Sequence, residues 1–158
     1  MLKLKENKFL IQTAADLPNL QNANELHCDV ETKRVFDHKK YGGLYPWKGD
    51  RICGVSVSID DDPNVFYIPV RHTNPKWNIP LAAFQSWLKD TVCTCKDFVN
   101  HSVVFDAMFC LFDGAEPQGR MVCVKTMAKL IDSDRMNHEL KPLCKDWLGC
   151  LAHRAGVA

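Results

Sequence analysis

The sequence predicts an α/β fold in which a mixed β-sheet is flanked by helices. Two observations lead to this prediction. Segments with strand-like alternation or β-branched residues are followed by segments with helical spacing, and an early pair of strands is joined by a short turn. The length of 158 residues fits a single domain that spans residues 1–158.

The first half of the chain is predicted to consist mainly of strands. A short helix at residues 14–20, capped by Thr13, and a loop at 33–50 interrupt them. Strands are expected at residues 9–13, 25–30, 51–59 and 65–70. The turn Asp60-Asp61-Asp62-Pro63-Asn64 makes the last two strands a hairpin.

The second half is predicted to alternate helices with strands. Apolar residues recur at helical spacing in residues 79–92, and Gly149 is placed to end the last helix. Helices are expected at residues 79–92, 105–112, 125–131 and 140–148, and strands at 98–104 and 121–124.

Composition excludes several classes of protein. The chain is 46% hydrophobic and 25% charged, and its net charge of +1 gives no general argument for nucleic-acid binding, although a local patch and metal ions could still bind it. The polar start and the absence of a long apolar run argue against a signal peptide and a membrane partner. The eight cysteines form no Cys-x-x-Cys pair, so neither structural zinc nor a disulfide framework is favoured, and we expect a reduced, cytoplasmic setting.

Asp29 and Glu31 are the first candidate functional residues. They lie two residues apart near the end of a predicted strand, so their side chains point to the same face. Two carboxylates on one face repel each other unless a cation or a proton joins them. Their apolar neighbours Leu26 and Cys28 argue against a solvated run of charges. Hard oxygen ligands of this kind suit Mg²⁺ or Mn²⁺.

Asp106 is the third candidate. It follows Val103-Val104-Phe105 and precedes another apolar stretch, where an unpaired acid is costly to bury. At a predicted junction between strand and helix, this residue could either cap the helix or bind a metal ion, and the residues alone leave both open.

Several segments taken together resemble the proofreading 3′–5′ exonuclease domain of bacterial and phage family A DNA polymerases, within the DEDD exonucleases. The resemblance extends over residues 9–149, and its strength lies in the order and spacing of the segments. They are His27-Cys28-Asp29-Val30-Glu31-Thr32 for the first motif, residues 51–58 for the second strand, residues 66–72, Asn100-His101-Ser102-Val103-Val104-Phe105-Asp106 for the second motif, and residues 130–141 and 146–149 for later helices.

The resemblance implies a three-layer RNase H-like fold and a two-metal hydrolysis of the last phosphodiester at the 3′ end of single-stranded DNA. It implies that two ions, Mg²⁺ or Mn²⁺, are bound by Asp29, Glu31 and Asp106, with Asp29 bridging both. It also implies a bacterial or phage-infected cell and a polymerase domain or subunit as partner. The positions that match contacts to the terminal nucleotide are Thr32, Val35, Ser102 and Phe105.

The chain departs from the family pattern at three places. Ser102 stands where the family has asparagine, and Lys125 stands where an aspartate is common. The last family motif, a Tyr-x-x-x-Asp or His-x-x-x-x-Asp helix that supplies a fourth carboxylate, has no match after Gly149, and the nearest echo, His153, has no acid at the required spacing. The chain is therefore expected to be C-terminally truncated before this motif.

These departures leave three hypotheses about function. The first is a proofreading-type 3′–5′ exonuclease acting on DNA. The second is a catalytically weak or inactive chain of the same fold that binds DNA or associates with a polymerase. The third is an exoribonuclease of the RNase D type, because the contact that separates RNA from DNA has no sequence signature here.

Basic and aromatic side chains give weaker signals. The pairs Lys33-Arg34 and Lys39-Lys40 could contact phosphates, although a solvated loop is the default interpretation. The four tryptophans have no spacing typical of a base-stacking platform.

Overall fold

A computed structural model describes residues 1–5, 7–35 and 43–149. The described α-helices are α1 (Leu81–Val92), α2 (Val103–Phe112), α3 (Val124–Ile131) and α4 (Leu140–Leu148). The described strands are β1 (Leu2–Lys5), β2 (Lys8–Leu10), β3 (Glu25–Lys33), β4 (Arg51–Ile59), β5 (Val65–Pro69), β6 (Asp97–Asn100) and β7 (Arg120–Cys123). Of the helices in these ranges, none has the length and apolar character that crossing a membrane requires.

The strands form one mixed sheet in the order β1-β2-β5-β4-β3-β6-β7. The central strand β3 pairs antiparallel with β4 on one side and parallel with β6 on the other. The pairing with β4 shifts register after Glu31, because Cys53 is an extra residue that has no partner on β3. The mixed α/β sheet is as predicted, and the extra residue is a bulge beside the acidic pair, a position where bulges often adjust side-chain direction.

The main core lies against one face of this sheet. Leu26, Cys28 and Val30 alternate along β3 and are buried, and Val55 and Val57 lie opposite the last two of them on β4. Side chains of α1 and α2 complete the same apolar cluster. Since strand residues alternate between faces, Asp29 and Glu31 are left on the other side of the sheet.

The N-terminal region differs from the prediction. Residues 14–20 form only a three-residue 3₁₀ helix, Ala14–Asp16, because Pro18 disfavours helical geometry at the residue before it. Thr13 makes no capping bond to the backbone and instead donates to the Asp16 carboxylate. The predicted strand at 9–13 is β2, which is displaced to Lys8–Leu10 and pairs with β1, a strand too polar to be noticed in the sequence.

The segment before Asp106 also differs. The strand β6 ends at Asn100 and α2 begins at Val103, so residues 103 and 104 belong to a helix and not to the predicted strand. A short apolar run cannot be assigned to strand or helix by periodicity alone. Ser102 is the N-cap residue, so the alternative that Asp106 caps this helix is wrong.

The remaining boundaries agree closely with the sequence. The strand β4 and the helix α4 are as predicted, and Gly149 ends α4 with a φ of 63°, in the left-handed region. The strand β3 continues to Lys33, into the predicted loop, which also contains a 3₁₀ helix at Pro46–Lys48. Lys39, Lys40 and His153, which the sequence singled out, lie outside the described residues.

Candidate metal and substrate site

The acidic pair lies on the exposed face of the central strand. Asp29 and Glu31 are both exposed, and their cross-strand partners on β4 are Ser56 and Gly54. Neither carboxylate pairs with a basic side chain of the described residues. The same-face placement predicted from the spacing is therefore present in the structure.

Asp106 accepts a hydrogen bond from β3 at a point where β6 no longer pairs with that strand. Backbone pairing between β3 and β6 extends only as far as His27 and Val99. Beyond that point, the next two backbone N–H groups on this side of β3 donate hydrogen bonds to side-chain oxygens. Asn100 Oδ1 accepts from Cys28 at 2.9 Å, and Asp106 Oδ1 accepts from Val30 at 3.1 Å. The Asp106 side chain thus continues the parallel ladder where β6 has ended.

All three carboxyl groups lose contact with water, Asp106 almost fully and Asp29 and Glu31 in part, and none of them has a basic partner among the described residues. Burial, together with the nearby Asp29 charge, raises the pKa of Asp106 to about 7, against the lowering effect of the Val30 hydrogen bond. Burial also raises the pKa of Asp29. For Glu31 the pKa is raised first by burial and then by Asp29, and the charge on His72 partly offsets this. Asp29 therefore lies within electrostatic reach of both other acids.

This donor set fits a hard divalent cation in its chemistry. All three groups offer oxygen, and each is held in a setting that disfavours its own charge, which a cation would relieve. In the described ranges, however, no three His, Cys, Asp or Glu side chains converge closely enough to hold an ion. Because adjacent carboxylates repel one another, an ion would have to draw these side chains together.

The predicted substrate contacts lie at several places around the acids. Thr32 is half-buried directly after Glu31, and Val35 is exposed just beyond the end of β3. Ser102 is exposed at the start of α2, where its side chain makes no capping hydrogen bond. Phe105 is half-buried in the first turn of α2 and packs on Phe109 with ring centroids 4.9 Å apart. Thr32 and Phe105 are thus direct sequence neighbours of Glu31 and Asp106, and Val35 follows the end of the strand that carries Asp29 and Glu31.

A tyrosine–histidine pair near Glu31 was missed by sequence reasoning. Tyr67 Oη and His72 Nε2 are 2.7 Å apart. The tyrosine hydroxyl lies over Gly54, where an added Cβ would be only 2.1 Å from it. Since Gly54 pairs with Glu31 across the strands, the missing side chain makes room for this hydroxyl beside the acid. Burial is the main cause that raises the pKa of Tyr67, and the charge of Glu31 contributes. No local signal could have revealed this, because the contact crosses two strands.

A hollow of about 250 Å³ borders Asp29 on the same face of the sheet. Sheet residues such as His27, Ser56 and Val99 form its floor, and Val124 and Leu140, at the starts of α3 and α4, line it as well. The exposed face next to the acid is therefore concave and largely apolar.

Comparison with known proteins gives two kinds of relative. No protein-family model matches the chain. It is 29% identical over 135 residues to the DNA polymerase DpoZ of Salmonella phage PMBT28, covering 85% of this chain and 19% of the polymerase. It is 26% identical over 132 residues to DpoZ of Acinetobacter phage SH-Ab 15497, covering 83% of this chain and 18% of that protein. The chain thus spans about a fifth of the length of these relatives.

Solved nuclease structures share the fold. NrnC of Brucella melitensis bound to pGG superposes with a TM-score of 0.62 at 24% identity, covering 94% of this chain and 64% of that one. The same nuclease with bound Mg²⁺ gives a TM-score of 0.62. RNase D of Trypanosoma brucei in complex with RNA U12 gives 0.56 at 18% identity, covering 92% and 48%. The chain therefore has the mixed α/β fold of these nucleases and is similar in sequence to part of two phage DNA polymerases, and both findings agree with the exonuclease resemblance that its motifs predict.

Proposed function

We propose that this chain is a metal-dependent 3′–5′ exonuclease of the proofreading type, which hydrolyses the terminal phosphodiester of single-stranded DNA. The observation that carries the proposal is the hydrogen bond from the Val30 N–H to Asp106 Oδ1. It joins the second-motif acid to the strand that carries Asp29 and Glu31, although Asp106 lies 75 positions after Glu31 in the sequence. The similarity to phage DNA polymerases supports DNA as the substrate.

In this proposal Asp29, Glu31 and Asp106 would hold two divalent ions, Mg²⁺ or Mn²⁺. Such ions, when bound, activate water as a nucleophile and stabilise the leaving 3′ oxygen. The solved Mg²⁺-bound structure of NrnC, a protein of the same fold, supports the choice of metal.

The other residues of the site bind and orient the strand. Thr32 and Val35 contact the terminal nucleotide from the end of β3, and Phe105 contacts it from the first turn of α2. Ser102 offers a hydroxyl that no helix-capping bond engages, so it is available to a sugar or phosphate oxygen. The hollow beside Asp29 provides space next to the reacting bond.

Two alternatives have specific support. The NrnC complex with pGG and the RNase D complex with RNA U12 favour short oligonucleotides or RNA as substrates. The lack of a converged group of three metal ligands among the described residues favours a module that binds DNA, or associates with a polymerase, without cleaving it.

A hydrolysis assay tests the proposal. The full chain is incubated with a 5′-labelled single-stranded DNA oligonucleotide and Mg²⁺ or Mn²⁺, and the products are resolved by length. The expected result is a ladder shortened from the 3′ end that a 3′-terminal phosphorothioate linkage suppresses. Asp29→Asn and Asp106→Asn should abolish it, whereas Asp61→Asn, a change at an exposed turn, should not.

The alternatives give different outcomes in the same assay. Faster shortening of an RNA strand of matched sequence would replace the DNA proposal with the exoribonuclease. Binding of the strand without shortening under either ion would support the non-cleaving module. Shortening that persists in Asp29→Asn would refute the proposed site.

A further inference from the structure

The geometry points to a base-stacking ledge, formed by Trp47 and Phe112, that binds a single DNA strand upstream of its 3′ end. This inference rests on the proposed function and names a subsite of the same site. The two side chains are large and apolar, yet Trp47 is 54% exposed and Phe112 is 47% exposed. Neighbouring exposed aromatic groups of this kind are typical of surfaces that bind a partner.

The ledge consists of three aromatic rings in a row. The Trp47 ring lies 5.1 Å from Tyr45 at 53° and 6.5 Å from Phe112 at 49°, measured between centroids. Tyr45 and Trp47 come from the turn before β4, whereas Phe112 is the last residue of α2. Nucleobases stack on exposed aromatic faces with little regard to sequence, as a strand of any sequence requires.

Several hydrogen bonds brace the turn that carries Trp47. Arg51 Nη1 donates to the carbonyls of Pro46 and Asp50, at 2.8 and 2.9 Å. Gly49 closes the 3₁₀ helix Pro46–Lys48 with a φ of 103°, in the left-handed region, and its N–H bonds back to Pro46. A side chain held on a braced turn loses little freedom when a base stacks on it, which favours binding.

One buried carboxylate connects the ledge to the proposed site. Asp50 Oδ1 accepts from the Val35 N–H and Asp50 Oδ2 accepts from the Tyr45 N–H, both at 2.8 Å. The backbone of Val35, which contacts the terminal nucleotide in the proposed function, is thus held next to the backbone of the ledge.

The helix α2 provides a second connection. Phe105 and Phe112 are seven residues apart, so they lie on nearly the same side of the helix and about 10 Å apart along its axis. The acid Asp106, in the first turn, and the ledge residue Phe112, at the last position, therefore belong to one helix. A strand that follows α2 from its 3′ end would bring bases a few nucleotides upstream onto Trp47.

Charge around the ledge suits a phosphate backbone. Lys33 lies opposite Arg51 across the strands, and Arg34 and Lys48 are exposed nearby in sequence. Among the described residues around the ledge, the acids Asp50 and Asp113 are withdrawn from solvent. Asp50 is fully buried, and Asp113 is buried against Arg71, whose two terminal nitrogens both donate to it. A surface of exposed aromatic and basic side chains is complementary to a single nucleic-acid strand, which offers bases to stack and phosphates to pair, and less so to an apolar protein segment, which offers no charge.

The test is equilibrium binding of 5′-fluorescein oligothymidylate by anisotropy, with Ca²⁺ replacing Mg²⁺ so that hydrolysis does not interfere. Trp47→Ala should weaken binding of a hexanucleotide about tenfold and leave binding of a dinucleotide unchanged. Trp47→Phe should retain most of the affinity, and Phe112→Ala should lose an intermediate part. Trp147→Ala is the matched control, since this tryptophan of α4 is 45% exposed but far from the ledge in sequence.

Abasic substitutions supply a readout that a structural defect would not produce. One or two abasic positions upstream of the 3′ end should weaken binding by the wild type and have no effect on Trp47→Ala, because the stacking partner is already absent. Equal binding of the hexanucleotide by the wild type and Trp47→Ala, or equal abasic sensitivity in both, would overturn the ledge and leave the surface to a protein partner.

Failure of the ledge can be told apart from failure of the proposed function. Weakened binding by Trp47→Ala in a chain that does not shorten DNA would refute the activity and support the ledge. Normal shortening of DNA by the wild type, with binding by Trp47→Ala unchanged, would support the activity and refute the ledge.

Discussion

Asp106 Oδ1 lies 3.1 Å from the Val30 backbone nitrogen, so a carboxylate of α2 serves as the hydrogen-bond acceptor of a sheet strand. The residue is 4% exposed and has no basic partner among the described residues. It therefore has a role in the fold that is separate from any chemistry it performs.

Substitutions at Asp106 should separate these two roles. Asp106→Ala leaves the buried Val30 N–H without an acceptor and should lower the free energy of unfolding by about 1–3 kcal/mol. Asp106→Asn keeps an acceptor oxygen and removes a buried charge, so at neutral pH it should be at least as stable as the wild type. Urea unfolding of the three proteins without metal checks this, and an asparagine variant as unstable as the alanine variant would contradict it.

Stability of the metal-free protein should depend on the protonation of Asp106. Burial raises its folded-state pKa to about 7, above the ordinary carboxyl value. Between those two values the folded state keeps a proton that the unfolded state releases, so the free energy of unfolding should fall as the pH rises through this window. The loss should be about 2–4 kcal/mol in the wild type and absent for this site in Asp106→Asn. Urea unfolding at about pH 5 and about pH 8 measures the difference, and parallel pH profiles of the two proteins would refute it.

Divalent ions should raise the melting temperature at neutral pH. An ion that binds only the folded acids stabilises the protein by about 2.7 kcal/mol at a hundredfold excess over its dissociation constant. Mn²⁺ should produce the shift in the wild type and in Asp61→Asn, and much less of it in Asp29→Asn. Removal of the ion with a chelator should return the wild type to its starting value. An equal shift in Asp29→Asn would place the ion elsewhere.

Gly54 should tolerate no side chain while Tyr67 keeps its position. An added Cβ would lie 2.1 Å from the tyrosine hydroxyl and 2.6 Å from Cζ, so Gly54→Ala should cost about 1–3 kcal/mol. In the Tyr67→Leu variant, Gly54→Ala should lower the free energy of unfolding by less. A double-mutant cycle should therefore give a coupling energy of about 0.5–3 kcal/mol. Ser58→Ala, on the same strand, serves as the control. If Gly54→Ala and Tyr67→Leu change the free energy of unfolding additively, the Tyr67 hydroxyl is not what excludes a side chain at residue 54.

Cys123 should react with alkylating agents before the core thiols. Burial alone would raise its pKa, but hydrogen bonds from Thr126 and from backbone N–H groups near the start of α3 lower it overall. Burial raises the pKa of Cys95 to about 11. The hydrogen bond with Cys110, together with burial, raises the pKa of Cys28 in the core as well. Limited treatment with iodoacetamide followed by peptide mapping measures the rates, and Thr126→Val should slow the reaction at Cys123.

The acidic pair could be predicted from sequence because its geometry is local. A spacing of two on a strand places Asp29 and Glu31 on one face whatever the rest of the fold does. The hairpin of β4 and β5 was predictable for the same reason, since its turn residues are adjacent in the chain. The start of α2 was not, because Val103 and Val104 suit a strand as well as a helix and the choice depends on where β6 ends.

Contacts between distant segments could not be predicted. The approach of Tyr67 to Glu31 depends on the order of three strands and on the absence of a side chain at Gly54. The pairing of Trp47 with Phe112 depends on how the turn before β4 packs on α2. Tryptophan spacing in the sequence gave no indication of it, because only one of the four tryptophans belongs to the cluster.

The hydrogen bond between Asp106 and Val30 has a consequence for how homologous sequences should be compared. A chain of this fold that no longer needed a charge at 106 would still need an acceptor there, and asparagine would supply it without loss of the sheet. Drift in an inactive lineage should therefore exchange aspartate for asparagine at this position sooner than for other residues. The amide, more than a wholly different side chain, is the substitution that would identify relatives of this protein that keep the fold without the chemistry proposed for it.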